Sequence, residues 1–85
     1  MYKISYSREA GKSLLRMPRN TAKLIREKLD AIAVNPYAEL PNAKKLQDRE
    51  GYRLRVGDWR VIYKLENEQL IIIVLKIASR GEVYK

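Results

Sequence analysis

Tyr2, Ile4 and Tyr6 alternate with Lys3 and Ser5, a period of two that predicts a half-buried strand at the start of the chain. Ser7 follows as a helix cap. Across Arg8 to Met17, the positions Ala10, Leu14 and Met17 make one apolar stripe while Arg8, Lys12 and Arg16 turn outward. Pro18 ends this helix. A second helix is predicted from about Asn20 to Val34, with Ile25, Leu29, Ile32 and Ala33 on one face and Lys23, Arg26, Glu27 and Asp30 elsewhere. Asn35-Pro36 stops it, because a residue before proline is pushed out of the helical region. The short connection at Pro18 and Arg19 makes the pair an αα-hairpin.

Tyr37 to Glu50 hold Pro41, scattered charges and little periodicity, so this stretch reads as a loop anchored around Lys44-Lys45-Leu46. From Gly51 the period of two returns. Tyr52, Leu54 and Val56 alternate with Arg53 and Arg55, Gly57-Asp58 interrupts, and Trp59, Val61 and Tyr63 alternate with Arg60, Ile62 and Lys64. This is the pattern of a β-hairpin with a two-residue turn. Glu66-Asn67-Glu68 makes the next turn, and Leu70 to Ala78 is apolar enough for a central strand covered on both faces. The predicted architecture is α+β: an N-terminal strand, then an αα-hairpin packed on one face of a four-stranded, mainly antiparallel sheet (β-α-α-β-β-β). Residues 1–85 are expected to form a single domain.

The hairpin fixes a register. Val56 falls opposite Trp59, Arg55 opposite Arg60, Leu54 opposite Val61 and Tyr52 opposite Tyr63. All the apolar and aromatic members then share the face the helices cover, and Arg53, Arg55 and Arg60 share the other. Like charges directly across a ladder destabilise it, so the cluster points to a bound anion. A solvated outer face with pairs to Glu50, Asp58 or Glu82 is the plainer alternative. A three-residue turn at Glu66 to Glu68 puts Ile71, Ile73 and Leu75 on the helix side and Val74, Lys76 and Ala78 on the arginine face. A two-residue turn reverses that parity. On the first parity Arg80 and Tyr84 continue the arginine face, against their plainer roles as a tail charge and a cover for the sheet end.

Composition sharpens this. The chain carries 18 Lys and Arg against 10 Asp and Glu, a formal charge of +8. A polyanion is the natural partner: nucleic acid first, an acidic protein segment second, an anionic membrane surface third. A charge that serves solubility alone is the remaining reading. The chain contains neither cysteine nor histidine. Thiolate catalysis, disulfides, Ser-His and Cys-His devices and zinc-finger ligand sets are thereby excluded, and any catalysis runs on carboxylates, lysine, tyrosine or electrostatics. The longest apolar run, Leu70 to Leu75, is far too short to span a bilayer, and the N-terminus lacks the pattern of an export signal. A cytoplasmic protein is expected.

The segment Gly51 to Tyr63, with its Arg-Leu-Arg-Val-Gly-Asp-Trp-Arg-Val-Ile-Tyr core, followed by an apolar strand and Arg80-Gly81-Glu82-Val83-Tyr84, resembles the RelE branch of the RelE/ParE superfamily of type II toxins. The opening strand, the Leu-Met-Pro between the helices and the Asn-Pro exit fit the same family. The resemblance implies a RelE-like fold and a ribosome-dependent endoribonuclease. Such an enzyme cuts mRNA in the ribosomal A site with the message's own 2′-OH, leaves a 2′,3′-cyclic phosphate and a 5′-OH, uses no metal or cofactor, and so arrests translation and growth.

Carried over residue by residue, Arg60 stabilises charge on the scissile phosphate, Arg80 the phosphate or the leaving oxygen, and Tyr84 orients or stacks on a nucleotide. Arg53 and Arg55 stand where the best-studied branch has two lysines that position the message, and Arg55 is placed with the catalytic set. Lys44, Lys45 and Lys76 are expected to bind RNA. Arginine is a poor general base, so Lys44, Lys45 and Glu82 are the candidates for that role, with the ribosome itself as the alternative source; Ser79 stands where some relatives have histidine. The implied partners are a cognate antitoxin covering the basic face, the ribosome with its A-site mRNA, and operator DNA reached through the antitoxin. Two alternatives stay open: a ParE-like poison of DNA gyrase, and a noncatalytic RNA-binding module.

Overall fold

The computed structural model describes residues 1–79 except Glu39 and Pro41. Strand β1 (Lys3–Tyr6) leads into helices α1 (Arg8–Arg16) and α2 (Arg19–Val34), and strands β2 (Ala43–Lys45), β3 (Tyr52–Val56), β4 (Trp59–Glu66) and β5 (Ile71–Ser79) follow. The sheet order is β1-β5-β4-β3-β2, with β1 parallel to β5 and every other pair antiparallel. The α+β class and the helix pair are as the sequence predicts. The sheet has five strands rather than four, because Ala43–Lys45, expected within a loop, pairs with β3 as an edge strand.

Local chemistry explains where the helices begin and end. The Ser7 hydroxyl accepts from the Ala10 backbone N–H at 3.0 Å, satisfying one of the orphan donors of the first turn of α1. Met17 is extended because it precedes proline, and its buried side chain seals the corner between the helices. Pro18 then supplies its carbonyl to Ala22 N–H at 3.0 Å and opens α2. Ala22, Ile25, Leu29, Ile32 and Ala33 bury one face of α2. They pack with Ala10 and Leu14 of α1 and with Leu54, Val56, Val61, Tyr63, Ile72, Val74 and Ile77 of the sheet. Both helices thus cover one sheet face and leave the other for the charged residues.

The β3–β4 register is the predicted one at every pair. Gly57 holds φ +58 at the first turn position, where only glycine enters the left-handed region without strain. The β4–β5 register departs from expectation in a specific way. Tyr63 pairs with Val74 but Ile62 pairs with Lys76, so Leu75 is an extra residue, a β-bulge. Before the bulge, Ile72 and Val74 enter the core in place of the expected Ile71, Ile73 and Leu75. After it, Ile77 faces the helices while Lys76 and Ala78 lie on the arginine face, as predicted. The bulge is held from outside the ladder: Ser7 N–H donates to Val74 O at 2.9 Å and the Ser7 hydroxyl donates to Leu75 O at 2.8 Å.

Candidate nucleic-acid interface

Strand alternation and register assemble two cross-strand rows on the face opposite the helices. Lys44, Arg53, Ile62 and Lys76 form one row across β2, β3, β4 and β5. Arg55, Arg60 and Ala78 form the next. Neighbouring strands lie about 4.8 Å apart, so like charges stand side by side on this face with a mutual repulsion that the ladder itself does not relieve. Asn42 O accepts from the Arg55 backbone N–H at 2.8 Å and extends the pairing beyond β2.

The cations are held in different ways. Arg60 is only 7% exposed, and its Nη1 donates to the carbonyls of Gly57 at 3.4 Å and Trp59 at 3.3 Å. These are long bonds, and they anchor the guanidinium to the turn of its own hairpin. Arg55, its cross-strand neighbour, is exposed. Lys76 Nζ lies 3.8 Å from Glu9 Oε1 of α1, and the exposure of both makes that contact a weak tether. Lys45 is on the opposite parity from Lys44: it pairs with Tyr52, which stacks on Tyr63 at 5.4 Å between ring centroids. Lys45 nonetheless reaches the rim of the depression beside Lys44 and Arg53 described below. Arg80, Glu82 and Tyr84 lie outside the described residues, as does Pro41 of the predicted loop.

An apolar island interrupts the basic face, and sequence reasoning missed it. Ile62 and Ala78 are buried there, covered by Leu46. Leu46 N–H donates to Gly51 O at 2.9 Å, closing the segment between β2 and β3 into a compact loop folded over the sheet. Gly51 makes that closure possible: its φ is +124, and a Cβ there would stand 2.9 Å from Tyr63 O. The signal in the sequence was Ile62, an apolar residue at an arginine-face position. On the helix side, burial and the neighbouring Tyr52 push the Tyr63 hydroxyl up to about 12, which keeps it neutral in the core.

A small α+β fold with a helix hairpin on one face of its sheet is shared with solved RelE toxins. The family model for the ParE toxin of type II toxin-antitoxin systems, parDE, matches residues 4–84, and the chain belongs to this RelE/ParE family of type II toxins. A Methanocaldococcus jannaschii protein designated RelE1 is 34% identical over 76 residues, covering 87% of this chain and 84% of that protein. The RelE–RelB complex of Pyrococcus horikoshii superposes with a TM-score of 0.80 at 27% identity, covering 95% of this chain and 97% of that one. The intact Escherichia coli RelBE toxin-antitoxin complex gives 0.80 at 18% identity, covering 93% and 96%, a likeness of fold. Among the described residues, no helix is long and apolar enough to cross a membrane.

Proposed function

We propose that this toxin is a ribosome-dependent endoribonuclease, and that a cognate antitoxin silences it by covering the basic face. The observation that carries the reading is the placement of Arg55 against Arg60, beside the row holding Lys44 and Arg53, on a sheet face the helices leave open. In the proposed reaction the 2′-oxygen of the message bonds to the adjacent phosphorus as the bond to the 5′-oxygen breaks. The 2′-OH gives up its proton, and the 5′-oxygen gains one. The products are a 2′,3′-cyclic phosphate and a 5′-OH.

Negative charge gathers on the phosphoryl oxygens as the new bond forms. Fixed guanidinium groups stabilise that charge more than the ground state, which is the condition for acceleration. Arg60, anchored by turn carbonyls, takes this role, and Arg55 and Arg53 hold the flanking backbone. Arg80 at the leaving oxygen and Tyr84 on a nucleotide are assigned by family resemblance. Holding the 2′-oxygen in line with the phosphorus is worth about 7–11 kcal/mol, which lets the reaction proceed without a strong base. Lys44, Lys45 and Glu82 are the side chains proposed to assist proton removal. The antitoxin partner is supported by the relatives of Pyrococcus horikoshii and Escherichia coli, whose structures are RelE–RelB and RelBE complexes.

A gyrase poison is the second reading, favoured by the match to the ParE family model. One pair of assays decides. Incubated with programmed ribosomes, the purified toxin is expected to produce primer-extension stops within the A-site codon, to leave free mRNA whole and to leave gyrase supercoiling unaffected. Gyrase inhibition with intact message overturns the proposal. Intact message together with normal growth of a strain that accumulates the soluble protein overturns it too.

A further inference from the structure

The loop over the basic face does more than cover Ile62. Lys44, Lys45, Leu46, Gln47, Asp48 and Arg53 enclose a depression of about 480 Å³. That volume is within the range of small-molecule sites and suits one nucleotide. Its lining is chemically mixed. Lys44, Lys45 and Arg53 bring positive charge, Gln47 and Asp48 bring an amide and a carboxylate, and Leu46 adds an apolar surface. A site for phosphate alone gains nothing from a carboxylate, and an acidic peptide is repelled by it. A nucleotide satisfies both halves, because it is anionic at the phosphate and carries N–H donors on its base.

We infer that this depression is a nucleobase subsite of single-stranded RNA in which Asp48 selects bases bearing an exocyclic amine. The inference rests on the endoribonuclease reading and gives that site a sequence preference. The phosphate lies against Lys44 and Arg53, and the base lies over Leu46. Asp48 accepts a hydrogen bond from the exocyclic amine of cytosine, adenine or guanine. Uracil offers only its N3–H, and the O2 and O4 carbonyls on either side of that donor repel the carboxylate, so its contact is weaker. Recognition on the Watson–Crick edge of an unstacked base is how proteins commonly read single-stranded RNA. The loop is held in place before any RNA arrives, since Leu46 is packed on Ile62 and Ala78 and its N–H is bonded to Gly51 O.

The test uses fluorescently labelled 2′-O-methyl RNA hexamers of A, C and U, which cannot be cut by 2′-OH attack, titrated with the purified full chain at one fixed salt concentration. Hexamers of A and C are expected to bind about tenfold tighter than those of U, the size of one good base-edge contact. D48N is expected to narrow that gap to about twofold, chiefly by strengthening the U hexamer, since an amide donates where a carboxylate repels. K44A is expected to weaken all three equally, as a phosphate contact does. Asp48 and Lys44 are both exposed, so neither substitution threatens the core. Equal affinity for the three hexamers, a gap unchanged in D48N, or binding of an acidic peptide with no RNA binding overturns the subsite. A protein with the expected base preference that leaves ribosome-bound mRNA uncut retains the subsite and refutes the nuclease. A protein that cuts without the preference does the reverse.

Discussion

Arg55 and Arg60 stand directly across the β3–β4 ladder from each other, and the fold treats them oppositely. Arg55 is open to solvent, whereas Arg60 is nearly buried and bonded through Nη1 to the carbonyls of Gly57 and Trp59. Both bonds come from the hairpin turn that also sets the register, so one local structure makes the pair and fixes one member of it. In the proposed reaction the fixed cation would stabilise developing charge and the exposed one would follow the backbone.

R60A is therefore expected to slow single-turnover cleavage on programmed ribosomes by about 10²- to 10³-fold, the cost of removing a preorganised charge-stabilising donor. Co-sedimentation with ribosomes should change by less than about twofold. R60K keeps the charge but replaces a guanidinium, whose Nη1 holds both carbonyls and leaves its other N–H groups for a phosphate, with a single ammonium, so it should recover little of the rate. Parallel loss of association and activity would make Arg60 a binding residue instead.

Ser7 joins two features that are far apart in sequence. Its hydroxyl accepts from Ala10 N–H at the start of α1 and donates to Leu75 O at the bulge of β5. S7A removes both bonds, and urea unfolding is expected to show a loss of about 1–2 kcal/mol. An unchanged unfolding midpoint would show that solvent replaces both bonds at no cost.

Gly51 is a position where a methyl group has nowhere to go. At φ +124 a side chain is strained, and its Cβ would approach Tyr63 O to 2.9 Å. G51A is expected to cost at least about 1–3 kcal/mol in chemical denaturation, from the backbone alone. Because Leu46 bonds to Gly51 O, the substitution should also loosen the loop, raising hydrogen exchange at the Leu46 amide more than at amides of α2.

Tyr63 gives the protein an alkaline limit. Burial, then the adjacent Tyr52, raises its folded pKa to about 12 from an ordinary 10.0. The folded state therefore holds the phenolic proton more tightly than the unfolded chain. Its contribution to stability is complete below about pH 10 and is lost as pH rises through about 12. Thermal unfolding midpoints should fall across that window in the wild type and less steeply in Y63F. Ultraviolet titration should show one tyrosine ionising near pH 12 in the wild type and none there in Y63F. Equal slopes in the two proteins would mean that Tyr63 does not govern the transition.

How far the sequence reveals this fold depends on what sets each register. The β3–β4 hairpin was legible at every pair because Gly57-Asp58 leaves only one way to close it, and with it came the grouping of Arg53, Arg55 and Arg60. The β4–β5 pairing was only half legible. Asn67 to Leu70 make a longer turn than expected, Leu70 adopts φ 56, and the bulge at Leu75 switches parity midway. Nothing in an apolar run such as Leu70 to Leu75 marks which residue is the extra one. Strand β2 was missed because three residues carry too little alternation to declare a strand. Its place depends on a loop closed by Gly51 and Leu46, contacts that local pattern does not encode. The depression lined by Gln47 and Asp48 was hidden for the same reason.

The final prediction separates catalysis by arrangement from acid-base catalysis. The chain has no histidine, and the strand position facing Arg60 carries Arg55, a residue type poorly suited to act as a general base. Cleavage should then rise smoothly with pH as the 2′-OH becomes easier to deprotonate, without a bell-shaped optimum between about pH 6 and 8. R55K keeps the positive charge and adds a group able to release a proton, so single-turnover rates on programmed ribosomes should hold or increase. Free mRNA should stay uncut at every pH, because a site without a strong base depends on the ribosome to hold the backbone in line. A bell-shaped wild-type profile would instead reveal a tuned base, with Lys44, Lys45 and Glu82 the first to substitute. Loss of activity in R55K would show that the planar fork of Arg55, rather than its charge, is what the phosphate requires.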